Sequence, residues 1–266
     1  MSTTVRLVTV AGLLTAGLAA GACDVSVGDG GNLSFDLVAG VAESEDRRSY
    51  TLPPNGEIVI ENGGGSVDIA AWTESTVEVT ITRQAKARTD EAAAALLAQV
   101  EILEEIAPQR ISLTTSAPRG QSVQVRYVVR APASMATTVK NQNGNTEITG
   151  MTGAVRATQS NGRIQATGIE GPIQATVVNG PVLLDLARVG GDVSLATVNG
   201  PVRISIPSTA SASLSATVVN GRITTTGLSF EDLNQPSGRE MSGLLHGGGP
   251  RITLETTNGP IVITGQ

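Results

Sequence analysis

From Ala136 onward the chain alternates apolar and polar residues in short runs that keep fixed distances from a recurring Asn-Gly pair. Two and four residues after each Gly stand Thr146/Ile148, Ile164/Ala166, Val182/Leu184, Val202/Ile204, Ile223/Thr225 and Ile261/Ile263. Six and four residues before the Asn stand Val155/Ala157, Ile173/Ala175, Val193/Leu195, Leu214/Ala216 and Ile252/Leu254. A period of two marks strands with one buried face. The turns themselves are Asn143-Gly144, Asn161-Gly162, Asn179-Gly180, Asn199-Gly200, Asn220-Gly221 and Asn258-Gly259, in steps of 18, 18, 20, 21 and 38 residues. A second turn falls halfway, at Gly153, Gly171 and Gly190-Gly191. Each unit therefore reads as strand, Asn-Gly turn, strand, Gly turn.

One such unit cannot bury its own apolar stripe, whereas parallel stacking about 4.8 Å apart pairs each strand with its copy in the next unit. The expected fold is all-β, a parallel β-solenoid of about 18–20-residue coils. Pro172, Pro181, Pro201 and Pro260 follow a turn Gly at the first strand position, where a missing N–H is tolerated. Asn at the repeated corner suits a ladder of side-chain amides. A meander of Asn-Gly hairpins is the competing arrangement, but it does not require identical apolar offsets in every unit. The 38-residue step holds an insertion at about 228–249.

Residues 49–135 read as a strand-rich N-terminal part that caps the repeats. Ile58–Ile60 and Val67–Ile69 flank Asn62-Gly63-Gly64-Gly65, and alternation recurs at Val77–Ile81, Ile111–Thr115 and Val123–Val129, with a turn at Pro118-Arg119-Gly120. Thr89 or Asp90 is placed to N-cap one short helix ending near Gln99. Residues 23–48, rich in Gly, Ser, Asp and Glu, read as a flexible tether.

Residues 1–22 carry Arg6 and then an uncharged apolar run, Leu7–Ala20, which is too short to span a bilayer and reads as a signal peptide. Leu18 to Cys23 resembles a bacterial lipobox, whose cysteine becomes lipidated with palmitate-type acyl chains and then forms the new N-terminus. Ala20-Gly21-Ala22 also fits an ordinary secretion site. The only cysteine of the chain sits where the lipobox needs it, which favours lipidation at Cys23 and anchoring to a membrane.

Composition narrows the function. A net charge of −6 supplies no basic excess for nucleic-acid phosphates. Aromatic residues are 2% of the chain, so stacking platforms for sugar rings are scarce and a polysaccharide-active enzyme is the weaker class. The single histidine, His246, stands beside Gly247-Gly248-Gly249 with no partner pattern for catalysis, and no ligand spacing indicates a metal or another cofactor. No catalytic residues are assigned. Arg163 and Arg222 share the corner after the turn Gly and are the candidate surface-binding residues for an anionic glycan.

The x-Asn-Gly-[Pro/Arg]-[Val/Ile] units, the strand-rich segment before them and the lipobox together resemble the bacterial family called putative adhesins. That resemblance implies a β-helical domain at the cell envelope and transfers no catalytic residue. The expected function is a non-enzymatic, lipid-anchored binding module for an envelope glycan or protein, on the periplasmic side or the cell surface. A structural scaffold of the envelope without its own ligand is the alternative. The strand Pro260–Thr264, last in the chain, is expected to be an open edge through which a second copy could pair.

Overall fold

The computed structural model describes residues 24–27, 33–36 and 40–266; the expectations for the signal peptide and for Cys23 concern residues outside these. In chain order the first strands are β1 (Asp24–Val27), β2 (Leu33–Asp36), β3 (Gly40–Thr51), β4 (Glu57–Asn62), β5 (Val67–Trp72) and β6 (Thr76–Ala87). Helix α1 (Asp90–Leu97) follows, then β7 (Glu101–Ala107), β8 (Arg110–Ser116) and β9 (Val123–Pro132). The repeats give β10 (Ala136–Asn143), β11 (Thr146–Thr149), β12 (Val155–Asn161), β13 (Ile164–Ile169), β14 (Ile173–Asn179), β15 (Val182–Leu186), β16 (Val193–Asn199) and β17 (Val202–Ile206). The remainder is β18 (Ala212–Asn220), β19 (Ile223–Thr226), β20 (Glu231–Ser237), β21 (Glu240–Leu245), β22 (Arg251–Asn258) and β23 (Ile261–Gly265).

The protein is all-β apart from α1, with two large sheets and a separate β1–β2 pair. One sheet runs β20-β21-β18-β22-β16-β14-β12-β10-β4-β8-β7, and the other β19-β23-β17-β15-β13-β11-β5-β9-β6-β3. Each Asn-Gly turn carries the chain from the first sheet to the second, so successive strand pairs form tiers. Register is kept from tier to tier, with Asn143 beside Asn161, Asn161 beside Asn179, and Asn179 beside Asn199, all in parallel pairing. The alternation follows from this arrangement. Val155, Ala157, Ile173, Ala175, Val193 and Leu195 from one sheet, and Ile164, Ala166, Val182, Leu184, Val202 and Ile204 from the other, lie in a single buried core. Each fully buried Val, Leu or Ile stabilises the fold by roughly 1.5–3 kcal/mol.

The core does not stop at residue 136. β4 pairs in parallel with β10 and β5 with β11, so Glu57–Trp72 is a tier of the same stack. β8 and β9 pair in parallel with β4 and β5 on the far side and add another. The expected boundary at 135/136 therefore separates nothing in the packing. Its cause in sequence was the excursion through β6, α1 and β7, which interrupts the repeat without leaving the sheets.

The expected tether does not extend to residue 48, because Gly40–Thr51 is a twelve-residue strand antiparallel to β6. Its half-buried face is polar, with Ser44, Asp46 and Arg48, and so lacks the apolar alternation that marks a strand. Asp46 meets Arg83 at 2.9 Å and Arg48 meets Glu104 at 3.1 Å, which ties β3 to β6 and β7. Thr89 caps α1 by accepting a hydrogen bond from the Ala92 N–H at 3.2 Å.

The tiers leave chain order at both ends. The β4–β5 tier lies between β8–β9 and β10–β11, two tiers that follow one another in the chain. The β22–β23 tier lies between β16–β17 and β18–β19, which are likewise consecutive. The strand expected to be an open edge, β23, is thus flanked by β17 and β19. The insertion makes this possible. Its strands β20 and β21 form a hairpin that covers the outer side of β18, after which the chain returns into the gap beneath. Spacing along the chain does not encode on which side of β18–β19 the last unit lands.

Candidate ligand-binding cleft

The turn Asn62–Gly65 is longer than the Asn-Gly corners above it and leaves room beside the first tiers. A cleft of about 980 Å³ opens there, between this turn, the β8–β9 connection through Pro118-Arg119-Gly120, the face of β6 and the Asn143-Gly144 corner. Its floor is backbone held in place from behind. The Val125 N–H donates to the Gly64 carbonyl at 2.8 Å, and the Gly65 N–H to the Asn143 carbonyl at 2.8 Å. Two buried asparagines brace the carbonyls of the same two residues: Asn62 Nδ2 donates to that of Val125 at 2.9 Å and Asn141 Nδ2 to that of Gly65 at 3.0 Å. Gly65 has φ +112°, and a Cβ there would collide with the Val125 backbone, so the close approach of the two chains depends on glycine.

The walls are mostly uncharged and polar. Gln84, Gln124, Gln142, Asn143 and Asn145 contribute amides, which present donors and acceptors side by side, and Thr82, Thr115 and Ser116 contribute hydroxyls. Of the charged lining residues, Arg126 is paired to Asp68 at 2.8 Å and Glu43 accepts from Gln84 at 3.3 Å. Arg119 is exposed at the tip of the connection. Among the described residues no group of three or more His, Cys, Asp and Glu is placed to hold a metal ion.

The repeated corner forms a continuous chain of side-chain amides. Asn161 Nδ2 donates to Asn143 Oδ1 (2.9 Å), Asn179 to Asn161 (3.0 Å), Asn199 to Asn179 (2.8 Å), Asn258 to Asn199 (2.8 Å) and Asn220 to Asn258 (2.9 Å). Asn143 Nδ2 ends it on the Gly63 carbonyl at 3.1 Å, at the cleft. Gly144, Gly162, Gly180, Gly200 and Gly259 all have positive φ at these corners, and Gly221 closes the outermost one. A second row runs just inside. Thr197 Oγ1 donates to the Gly180 carbonyl at 2.9 Å and Thr256 Oγ1 to that of Gly200 at 3.0 Å.

The two arginines singled out from the repeat do not converge. Arg163 pairs with Glu147 at 3.0 Å, while Arg222 is exposed on the outermost tier. Three tiers separate theirs, which places the two about 19 Å apart along the stack. His246 is exposed, with Nδ1 3.1 Å from the Ala210 carbonyl. Cys23 lies outside the described residues. The cleft itself was missed because it belongs to no repeat. Its signals were two glycine turns, Gly63–Gly65 and Pro118–Gly120, far apart in sequence.

The profile of the family described as Toastrack DUF4097 matches residues 128–264. No curated protein matches the chain. Among solved structures, a putative cell adhesion protein from Clostridium sporogenes aligns with a TM-score of 0.50 and 12% identity, over 84% of this chain and 100% of that one. A putative adhesin from Bacteroides fragilis aligns with a TM-score of 0.36 and 10% identity, over 84% and 97%. At such identity the first of these shows a shared fold.

Proposed function

This chain belongs to the Toastrack DUF4097 family, and on that footing we propose that it is a non-enzymatic binding module of the bacterial cell envelope. The tiers are read as the coils of a parallel β-solenoid, which serves as a stiff support, and Cys23 as the lipid-bearing residue that holds it at a membrane. The observation that carries the binding role is the cleft: a large concave surface of amides, hydroxyls and braced glycine backbone. Such a lining matches a ligand rich in hydroxyl groups, each of which both donates and accepts, and so points to an envelope glycan. The adhesion-related names of the similar structures agree with a surface role.

The test is binding of the mature chain, with Cys23→Ser to keep it soluble, to fractionated peptidoglycan, surface polysaccharide and membrane protein. Saturable binding to one glycan fraction, weakened at least about tenfold by Gln124→Ala with Gln142→Ala, is expected, since each lost polar contact costs about 1 kcal/mol. Equal binding by the double variant would remove the cleft from the function. In cells, the wild-type chain is expected in the membrane fraction and Cys23→Ser in the soluble one.

A further inference from the structure

We propose that Asn220 is a site of spontaneous deamidation, singled out from the other Asn-Gly pairs by its place at the end of the stack. Eight Asn-Gly pairs occur in the chain, at Asn55, Asn62, Asn143, Asn161, Asn179, Asn199, Asn220 and Asn258. Such pairs are reactive because glycine has no Cβ to keep its backbone nitrogen from the preceding side chain. The nitrogen must be free to attack, and the side-chain carbonyl must be free to turn toward it.

In the five inner ladder pairs neither condition holds. The glycine N–H donates to the asparagine carbonyl of the next tier: Gly144 to Asn161 (3.1 Å), Gly162 to Asn179 (3.0 Å), Gly180 to Asn199 (2.8 Å), Gly200 to Asn258 (2.9 Å) and Gly259 to Asn220 (3.0 Å). The side chains are held from both sides, each Oδ1 accepting from one neighbour and each Nδ2 donating to another. Asn55 is exposed, but the Gly56 N–H is tied to the Pro53 carbonyl at 2.8 Å. Asn62 is only 4% exposed and is held on Val125, so water for the second step is kept away.

Asn220-Gly221 differs on each count. Both residues are exposed. The Gly221 N–H donates to no acceptor among the described residues, and Asn220 Oδ1 accepts from none. Only the bond from Asn220 Nδ2 to Asn258 Oδ1 restrains the side chain.

The reaction needs only water. The Gly221 nitrogen, having given up its proton, attacks Asn220 Cγ. The N–Cγ bond forms, the Cγ–Nδ2 bond breaks, and the amide leaves as ammonia with the released proton, giving a five-membered succinimide. Water then adds to one of the two ring carbonyls and opens the ring to aspartate or isoaspartate at position 220. One water is consumed, one ammonia leaves, and nothing is oxidised or reduced. The carboxylate formed cannot donate to Asn258 Oδ1, so the ladder loses its outermost bond.

Trypsin separates the question cleanly, since the peptide 204–222 contains Asn220 as its only asparagine, while 157–163, 164–188, 189–203 and 252–266 each carry one inner ladder Asn. The folded protein is incubated in mildly alkaline buffer, digested, and each peptide followed by mass spectrometry. Deamidation in 204–222 is expected at least about tenfold faster than in the other four, which must first open locally. In chain kept unfolded in denaturant the five rates are expected to converge. Equal rates in the folded protein would overturn the proposal, as would modification of 204–222 persisting in Asn220→Gln.

Discussion

At the scale of single residues, the two tyrosines report on how the core is closed. They are the only tyrosines in the chain, and both are buried, Tyr50 at 3% and Tyr127 at 0% exposure. Burial, and then the neighbouring Glu104 carboxylate, hold the Tyr50 phenol above its ordinary range. Burial does the same for Tyr127, opposed by its hydrogen bond with Thr115 and by the charges of Arg48 and Arg83. A raised phenol pKa favours the neutral form in the folded state. That stability is fully present below the ordinary value of about 10 and is lost as pH rises through the folded value. Tyrosinate absorbance is therefore expected only at a pH where circular dichroism also shows unfolding. Ionisation of either tyrosine near pH 10, with dichroism unchanged, would show that its ring is reached by solvent in the folded protein.

At the scale of elements, the corners do as much as the strands to fix the register. A strand slipped by one residue would turn its apolar face outward, and the Asn ladder with the Thr row inside it is satisfied in one register only. Thr197→Val isolates that inner row, because the chain itself places Val at the equivalent positions 177 and 218, so the shape is accepted. The variant loses the hydrogen bond to the Gly180 carbonyl and is expected to be about 1–2 kcal/mol less stable by chemical denaturation. An unchanged midpoint would mean that the carbonyl finds another donor. The repeats were legible because these corners recur: each Asn-Gly pair announced a turn, and the offsets announced which residues point inward. β3 was not legible, since Ser44, Asp46 and Arg48 on its half-buried face look like solvent-facing residues until Arg83 and Glu104 are seen opposite them. The cleft was hidden for a related reason. Gln84 and Gln124 come from two strands and Asn145 from a corner, which no local pattern connects.

At the scale of the molecule, sequence showed that units stack but not in what order. Tiers built from Glu57–Trp72 and Arg110–Pro132 lack the spacing of the later ones, and the last tier sits one place further in than its position in the chain suggests. The stack is nevertheless continuous, with one buried core from Tyr50 to Ile263. Removing residues 251–266 takes away the tier between β16–β17 and β18–β19. Hydrogen exchange is then expected to speed up across β16–β19, while β10–β13 stay protected. Unchanged protection of β16–β19 would show that those two tiers can close on each other directly. Three of the four edge strands of the large sheets are unsuited to further pairing, since β3 and β7 carry charges and β20 is irregular and contains Pro236, whereas the fourth, β19, is uncharged.

Stacked-repeat proteins ordinarily unravel from their ends, one unit at a time. Here the first and last units are sandwiched, each under a unit made from more interior chain. A pull on the chain from the Cys23 side would open the β1–β2 pair and then peel β3 from β6. It would then reach β4, whose backbone is bonded on both flanks and must be sheared from two neighbours at once. The proposed anchor and the proposed cleft both lie on the β3 side of the stack, so a load between them would bear on β3 before the first tier. Under such a load β3 would yield while the overlap of the end units holds the first tier in place.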